Sequence, residues 1–157
     1  LFMGSEFGQY HEWNHDQELE WWVADKPLHK GLMEWLGDLN HLYQNTAALW
    51  NDHEDGFEWI SYDDRENSVL VYRRLGGDES LIFVLNFTPI VRENYRIGVP
   101  SEGAWRERLN SDSEAYGGSN VGNQGTVYAD AIGQHGRPHS LELTLPPLGA
   151  LVLEQIE

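Results

Sequence analysis

A change in hydrophobic period near Gly56 is the feature that most constrains the fold of this chain. Before Gly56, one set of apolar residues recurs at spacings of four, four, three and four, which predicts a helix from about 28 to 45 with one apolar face. That set is Leu28, Leu32, Leu36, Leu39 and Tyr43. Pro27 suits the first turn of this helix because that turn does not use its N–H. After Gly56 apolar residues alternate with polar ones, as in half-buried strands. We therefore divide the chain into residues 1–56 and 57–157.

The second part reads as a series of short strands separated by turn-forming residues. Antiparallel strands at this spacing predict a β-sandwich, so we expect a mainly β fold. Residues 110–139 are rich in Gly, Ser, Asn and Asp, and we expect a functional loop or a packed Ω-like loop there. The predicted strands are 57–62, 68–74, 81–87, 95–99, 105–109, 140–145 and 150–154.

Charge and composition exclude several classes of partner. The 26 acidic and 10 basic residues give a formal charge of −16, which would repel phosphate backbones and anionic lipid headgroups. We expect neither a nucleic-acid partner nor a membrane partner. The chain has no cysteine, and we find no export signal, so we expect a cytoplasmic location.

Two histidine pairs have the spacing of metal ligands. His11-Glu12-Trp13-Asn14-His15 fits the H-E-x-x-H pattern of zinc proteases, but that pattern requires a helix and here it follows a glycine-containing, aperiodic segment. His135 and His139 are separated by a glycine and a proline, which favour a turn. We therefore predict no metal site and no cofactor.

Three further patterns have ordinary structural explanations. Asn86-Phe87-Thr88 fits a glycosylation acceptor, but we expect a strand end there. The glycine-rich residues 117–123 lack the lysine of a phosphate-binding loop. Asp63 and Asp64 lie in a predicted turn, where we expect solvated side chains.

Several motifs, in order along the chain, carry a family resemblance. They are LFMGSEFGQ at 1–9, EWNHD at 12–16, NFTP at 86–89, LNSDS at 109–113, YGGSNVGN at 116–123 and LPPL at 145–148. Together they resemble the C-terminal end of bacterial 1,4-α-glucan (glycogen) branching enzymes of the α-amylase superfamily. The resemblance covers nearly the whole chain, and the 116–123 motif is the most particular to this family.

The resemblance implies a fold for each part. Residues 1–3 would end the eighth strand of a catalytic (β/α)₈ barrel, residues 4–24 would be the loop after it, and residues 28–45 the closing helix. Residues 57–157 would be the all-β C-terminal domain. The opening apolar run, without an initiator methionine, fits a fragment cut inside a buried strand. The partner of the apolar helix face would be the missing N-terminal barrel.

The resemblance also implies a chemistry that this chain does not perform alone. Branching enzymes cleave an α-1,4-glucan and transfer the cut chain to a 6-hydroxyl with retention, which requires a nucleophilic carboxylate and a carboxylic acid. In the family these groups lie upstream of residue 1, so we predict no catalytic residue in this chain.

The resemblance places residues 4–24 on the catalytic face of the barrel, so some of them are candidates for contact with α-glucan. Trp13 could stack on a sugar ring, and Glu6, Asn14 and Asp16 could hydrogen-bond glucose hydroxyls. The alternative is that Trp13 packs the loop onto the barrel and Glu6 is a structural anchor.

Two other functions compete for the β-domain. A stand-alone carbohydrate-binding module could present Trp50, Trp59 and Trp105 as an aromatic platform, although the alternation around Trp59 could bury it. The second reading makes residues 57–157 a structural domain that covers one end of the barrel. We expect the structural role, and exposed tryptophans would favour binding.

Overall fold

The structure is a computed structural model that describes residues 2–156. Leu1, the first residue of the expected barrel-strand end, lies outside the described residues, and Phe2 and Met3 are not in a strand. The helix α1 spans Pro27–Asn45, close to the predicted 28–45. The strands are β1 Phe57–Asp64, β2 Val69–Gly76, β3 Glu79–Asn86, β4 Arg92–Val99, β5 Ala104–Asn110, β6 Thr126–Tyr128, β7 His139–Leu145 and β8 Ala150–Ile156.

The strands form two antiparallel sheets. The larger sheet has the order β1-β2-β3-β8-β5-β6, and the smaller one pairs β4 with β7. Because β8 lies between β3 and β5, the last strand of the chain completes the centre of the larger sheet. The expectation of a mainly β, antiparallel fold is confirmed.

The core lies between the two sheets. Strand residues point alternately to the two faces of a sheet, so each strand contributes every second residue to this core. Fully burying each such aliphatic side chain stabilises the fold by about 1.5–3 kcal/mol. Central core residues are Val71, Ile82, Val84, Leu151 and Leu153 of the larger sheet and Ile97, Val99, Leu141 and Leu143 of the smaller one.

The helix α1 packs on the outer face of the larger sheet, and only part of the predicted apolar stripe faces that sheet. Leu42 is buried against Leu81 of β3 and Val152 of β8. Gly31 is also buried, and a Cβ at this position would overlap the carbonyl oxygen of Tyr116. The predicted apolar stripe stays partly uncovered: Leu28 at its start is 70% exposed.

The segment from 110 to 139 contains more regular structure than expected. Strand β6 pairs with the edge of β5 and was missed because it has only three residues. A short 3₁₀ turn spans Glu114–Tyr116, and Gly117 follows it with φ of 85°, a left-handed conformation that suits glycine.

Candidate functional site

The N-terminal segment encloses an open cavity of about 390 Å³. Trp13 is 36% exposed at this cavity, and its ring meets that of Phe2 edge-on with centroids 6.1 Å apart. An exposed aromatic face beside polar groups can stack on a sugar ring. The lining residues are Phe2, Met3, Gly4, Ser5, Gly8, Gln9, His11, Glu12 and Trp13.

The other three predicted contact residues belong to the same segment but differ in hydrogen-bond partners and in exposure. The Glu6 carboxylate accepts a hydrogen bond from the Gly4 amide at 2.8 Å, so it holds the turn beneath the cavity. Asn14 Oδ1 accepts from the Asp16 amide at 2.9 Å, an Asx turn. The Asp16 carboxylate lies 3.3 Å from His15 Nε2 and is largely solvent-exposed. Trp13, Asn14 and Asp16 are exposed, whereas Glu6 is half-buried.

Glu20 organises the far side of the segment, and sequence reasoning missed it. Its carboxylate accepts hydrogen bonds from the Tyr10 amide at 2.7 Å and the His11 amide at 3.0 Å, and it lies 2.8 Å from His11 Nδ1. These interactions, the one with the His11 side chain first, lower the pKa of Glu20. The His11 side chain therefore pairs with the Glu20 carboxylate, and the H-E-x-x-H segment is not helical.

The segment is attached to helix α1 through His29. His29 Nδ1 lies 2.8 Å from the carbonyl oxygen of Phe7, and Nε2 lies 3.2 Å from the Tyr10 hydroxyl. Phe7 is fully buried and stacks on Trp21 with centroids 5.0 Å apart. The position of the cavity-forming segment is therefore coupled to that of α1.

A second organised element is the glycine-rich loop, residues 111–123, which follows β5 and is organised around the carboxylate of Asp112. The Asp112 carboxylate accepts from the Ser119 amide at 3.0 Å, the Ser119 hydroxyl at 2.7 Å and the Val121 amide at 3.0 Å. Partial burial raises the pKa of Asp112, but these hydrogen bonds outweigh it and lower the pKa below its ordinary value. These hydrogen bonds join the Asn-x-Asp motif to the Gly-Gly-Ser-Asn motif.

Glu107 holds the other end of this loop. Its carboxylate accepts from the Asn123 amide and side chain, each at 3.0 Å, and from Asn110 Nδ2 at 3.1 Å. Asn123 also accepts from the Thr144 amide at 2.8 Å, which ties the loop to β7. The motif at 116–123 therefore has a structural explanation, and the loop carries no lysine that would bind phosphate.

The glycine-rich loop contacts α1 through Tyr116. The Tyr116 hydroxyl donates to Asp38 Oδ2 at 2.6 Å, and its ring meets Trp35 edge-on at 5.2 Å. Burial, together with the hydrogen bond to Asp38, raises the pKa of the Tyr116 phenol. The absence of a side chain at Gly31 allows the loop backbone to approach the helix this closely.

The remaining sequence motifs are structural. Asn86 is buried, and its Nδ2 donates to the carbonyl oxygens of Ile90 and Pro146, each at 2.8 Å. The expectation of a solvated Asp64 is wrong, because this residue extends β1 and its carboxylate accepts from the Tyr95 hydroxyl at 2.6 Å. Within residues 2–156 no three His, Cys, Asp or Glu side chains are grouped as metal ligands.

The tryptophans of the β-domain divide into exposed and buried positions. Trp105 is fully buried in the core, so it is excluded from any binding platform. Trp59 is 47% exposed, so the alternation along β1 does not bury it, because it lies on the outer face of that edge strand. Trp50 is also exposed, and its indole donates to the carbonyl oxygen of Tyr43.

Trp59 belongs to an aromatic row across the outer face of three strands. Trp59 pairs with Tyr72, which pairs with Phe83. The Tyr72 and Phe83 rings are stacked, with centroids 4.8 Å apart and 5° between their planes. Trp59 stands nearly perpendicular to Tyr72 at 6.0 Å. The row leads towards Val152, where Leu42 of α1 covers the sheet.

The fold and these loops define an all-β antiparallel domain that carries a helix and a structured loop on its outer face. The chain belongs to the family described as the alpha amylase C-terminal all-beta domain, whose model matches residues 59–155. No helix among residues 2–156 has the length and apolar character needed to cross a membrane.

Curated relatives extend the match to the N-terminal segment. A 1,4-alpha-glucan branching enzyme of Salinibacter ruber is 74% identical over all of this chain and 25% of its own length. Enzymes of the same name from Aromatoleum aromaticum and Pseudomonas putida are 54% and 50% identical, over 98% of this chain and 24% and 21% of theirs. The chain therefore spans about a quarter of the length of these relatives.

Proposed function

We propose that this chain is the C-terminal part of a 1,4-α-glucan branching enzyme of glycogen biosynthesis. The observation that carries the proposal is the 74% identity to such an enzyme, which extends over residues 1–58 as well as over the β-domain. In this proposal residues 1–56 complete a catalytic (β/α)₈ barrel, and residues 57–157 form a structural domain beside it. The enzyme acts on α-glucan in the cytoplasm.

The chain contributes structure and substrate contact to that reaction, and the catalytic carboxylates come from the rest of the enzyme. A retaining transfer needs two carboxyl groups about 5–5.5 Å apart. The partly uncovered stripe of α1 supports a packing partner in the barrel, because apolar helix faces are normally covered.

The cavity of the N-terminal segment is the proposed place of contact with glucan. Trp13 offers the stacking face, and Asp16 offers an exposed carboxylate for glucose hydroxyls. Glu6 holds a backbone turn, so its contribution to binding is to shape the segment, whereas the exposed Asn14 also offers its side-chain amide to glucose hydroxyls.

A chimera tests the proposal directly. The corresponding quarter of the Salinibacter ruber enzyme is replaced by residues 1–157 of this chain, and α-1,6 linkages formed in amylose are counted after debranching. We expect the chimera to branch at a rate within a few-fold of the parent and the isolated chain to show no activity. The matched control keeps the parent's own counterpart of residues 1–58. Only the part after it is replaced, by residues 59–157 of this chain.

Two outcomes contradict the proposal. A chimera that melts like the parent but forms no branches would show that this chain does not complete a branching enzyme. Branching by the isolated chain would show that the catalytic groups are present here after all.

The aromatic row supports a second candidate function, a surface site for α-glucan on the β-domain. Trp59 and Phe57 are 47% and 40% exposed, and their rings adjoin the stacked pair of Tyr72 and Phe83. Flat exposed aromatic side chains bind sugar rings by stacking. This site would act beside the structural role of the domain.

A further inference from the structure

Helix α1 is held on two sides by parts of the chain that are distant in sequence. On one side Gly31, Trp35 and Asp38 meet the glycine-rich loop at Tyr116. On another side His29 bonds to the carbonyl oxygen of Phe7. The helix therefore stands between the glycine-rich loop and the cavity-forming segment.

The two contacts are close enough along the helix to move together. Residues 29 and 31 lie within one turn, and a helical turn is rigid because each of its peptide groups is hydrogen-bonded to the next turn. Gly8 also approaches α1, since a Cβ at position 8 would lie 3.1 Å from a methyl group of Leu32. A displacement of α1 at Gly31 is thus transmitted to Phe7 and Gly8, which support the cavity.

The glycine-rich loop is itself a rigid support. Three hydrogen bonds to the Asp112 carboxylate and three to the Glu107 carboxylate fix its two ends. Tyr116 lies between these anchors, with its carbonyl oxygen against Gly31 and its hydroxyl on Asp38. A loop held in this way resists displacement by the helix.

We propose that Tyr116 is a positioning residue that sets the geometry of the glucan-contact cavity from the β-domain, through Gly31 and His29 of α1. It touches no substrate. The part of this inference that concerns glucan rests on the proposed function, whereas the mechanical coupling between Tyr116 and the cavity does not.

Hydrogen exchange of the purified chain tests the coupling. Gly31→Ala places a methyl group against the Tyr116 backbone and must displace the helix or the loop. Tyr116→Phe is milder, because it removes only the hydrogen bond to Asp38. We expect exchange in peptides covering residues 4–13 to rise about tenfold in Gly31→Ala and by less in Tyr116→Phe, while peptides of β4, which belongs to the smaller sheet, are unchanged.

Two controls separate positioning from general loss of stability. Tyr128→Phe makes the same substitution at a tyrosine that is 73% exposed, and we expect no change in exchange. Val99→Ala weakens the core between the sheets, and we expect it to raise exchange across the β-domain without a preference for residues 4–13. Unchanged exchange at 4–13 in Gly31→Ala, or an equal rise in β4, overturns the proposal.

The same variants in the chimeric enzyme test the part of the proposal that concerns glucan contact at the cavity. We expect Tyr116→Phe to raise KM for amylose about threefold while kcat stays within experimental error, because the reacting groups are elsewhere. Raised exchange at 4–13 with an unchanged KM would support the coupling and count against glucan contact at this cavity. A chimera without any branching would instead contradict the proposed function itself.

Discussion

The Tyr116 hydroxyl lies 2.6 Å from the carboxylate of Asp38, which joins residues 78 positions apart in the chain. Asp38 is on α1, and Tyr116 lies four residues after Asp112, the last residue of the Asn-x-Asp motif. The contact shows what the glycine-rich motif does in this structure. It folds a loop onto a helix and thereby attaches the N-terminal segment to the β-domain.

Asp112→Ala should destabilise the chain by about 1.5–3 kcal/mol, the usual contribution of hydrogen bonds to a charged group. The substitution leaves the Ser119 and Val121 amides without their acceptor. Chemical denaturation measures the free energy of unfolding. Asp52→Ala, at an exposed aspartate, is the matched control and should change it by less than about 0.5 kcal/mol. Equal effects of the two substitutions would contradict the central role of Asp112.

Stability should fall as pH decreases below about 6.5, partly through His135. Burial lowers the pKa of His135 against the opposing charges of Asp64 and Asp63, and its Nδ1 lies 3.2 Å from the Gly98 amide, which donates to it. Since the unfolded state then binds a proton more readily than the folded state, the stabilisation is present above the unfolded pKa and is lost below it. Unfolding free energies at pH 5 and pH 7.5 measure this loss. The difference should shrink in His135→Gln, and a difference as large as that of the unmodified chain would exclude His135 as a cause.

Trp13→Ala should raise KM for amylose about two- to tenfold in the chimeric enzyme, as expected for the loss of one aromatic stacking contact of about 0.5–1.5 kcal/mol. The melting temperature should change little because the ring is partly exposed. Trp22→Ala is the control, since Trp22 is 60% exposed and outside the cavity lining. A KM that changes only in Trp22→Ala would place the contact elsewhere.

Trp59→Ala should weaken retardation of the isolated chain by glycogen in affinity electrophoresis, by about two- to tenfold in apparent affinity. Trp59 is the exposed indole of the aromatic row, and its removal leaves Tyr72 and Phe83 stacked. Tyr128→Ala serves as the control on the opposite edge of the same sheet. Retardation that is absent in the unmodified chain would leave the β-domain with a structural role alone.

The sequence predicted the helix and seven of the eight strands that residues 2–156 form, because each depends on local periods and turn residues. Helix α1 was placed to within one residue at its start, since Pro27 marks it. Strand β6 was missed because three residues are too few to show an alternating pattern. Its formation depends on pairing with the edge of β5. Of the residues in the N-terminal segment, Trp13 was singled out from its motif and its glucan contact stays a prediction, whereas Glu20 and His29 were not singled out, because their partners are distant in sequence.

The sequence by itself determined the change from helical to extended structure at Gly56 and the residues that form each element. Only the tertiary structure decided which faces those elements bury. Gly31 and Leu42 pack on the β-domain although the stronger apolar stripe begins at Leu28, and Trp105 is buried while Trp59 is exposed. The physical reason is that periodicity depends on neighbours along one element, whereas burial depends on the strand order and on the loop that meets the helix.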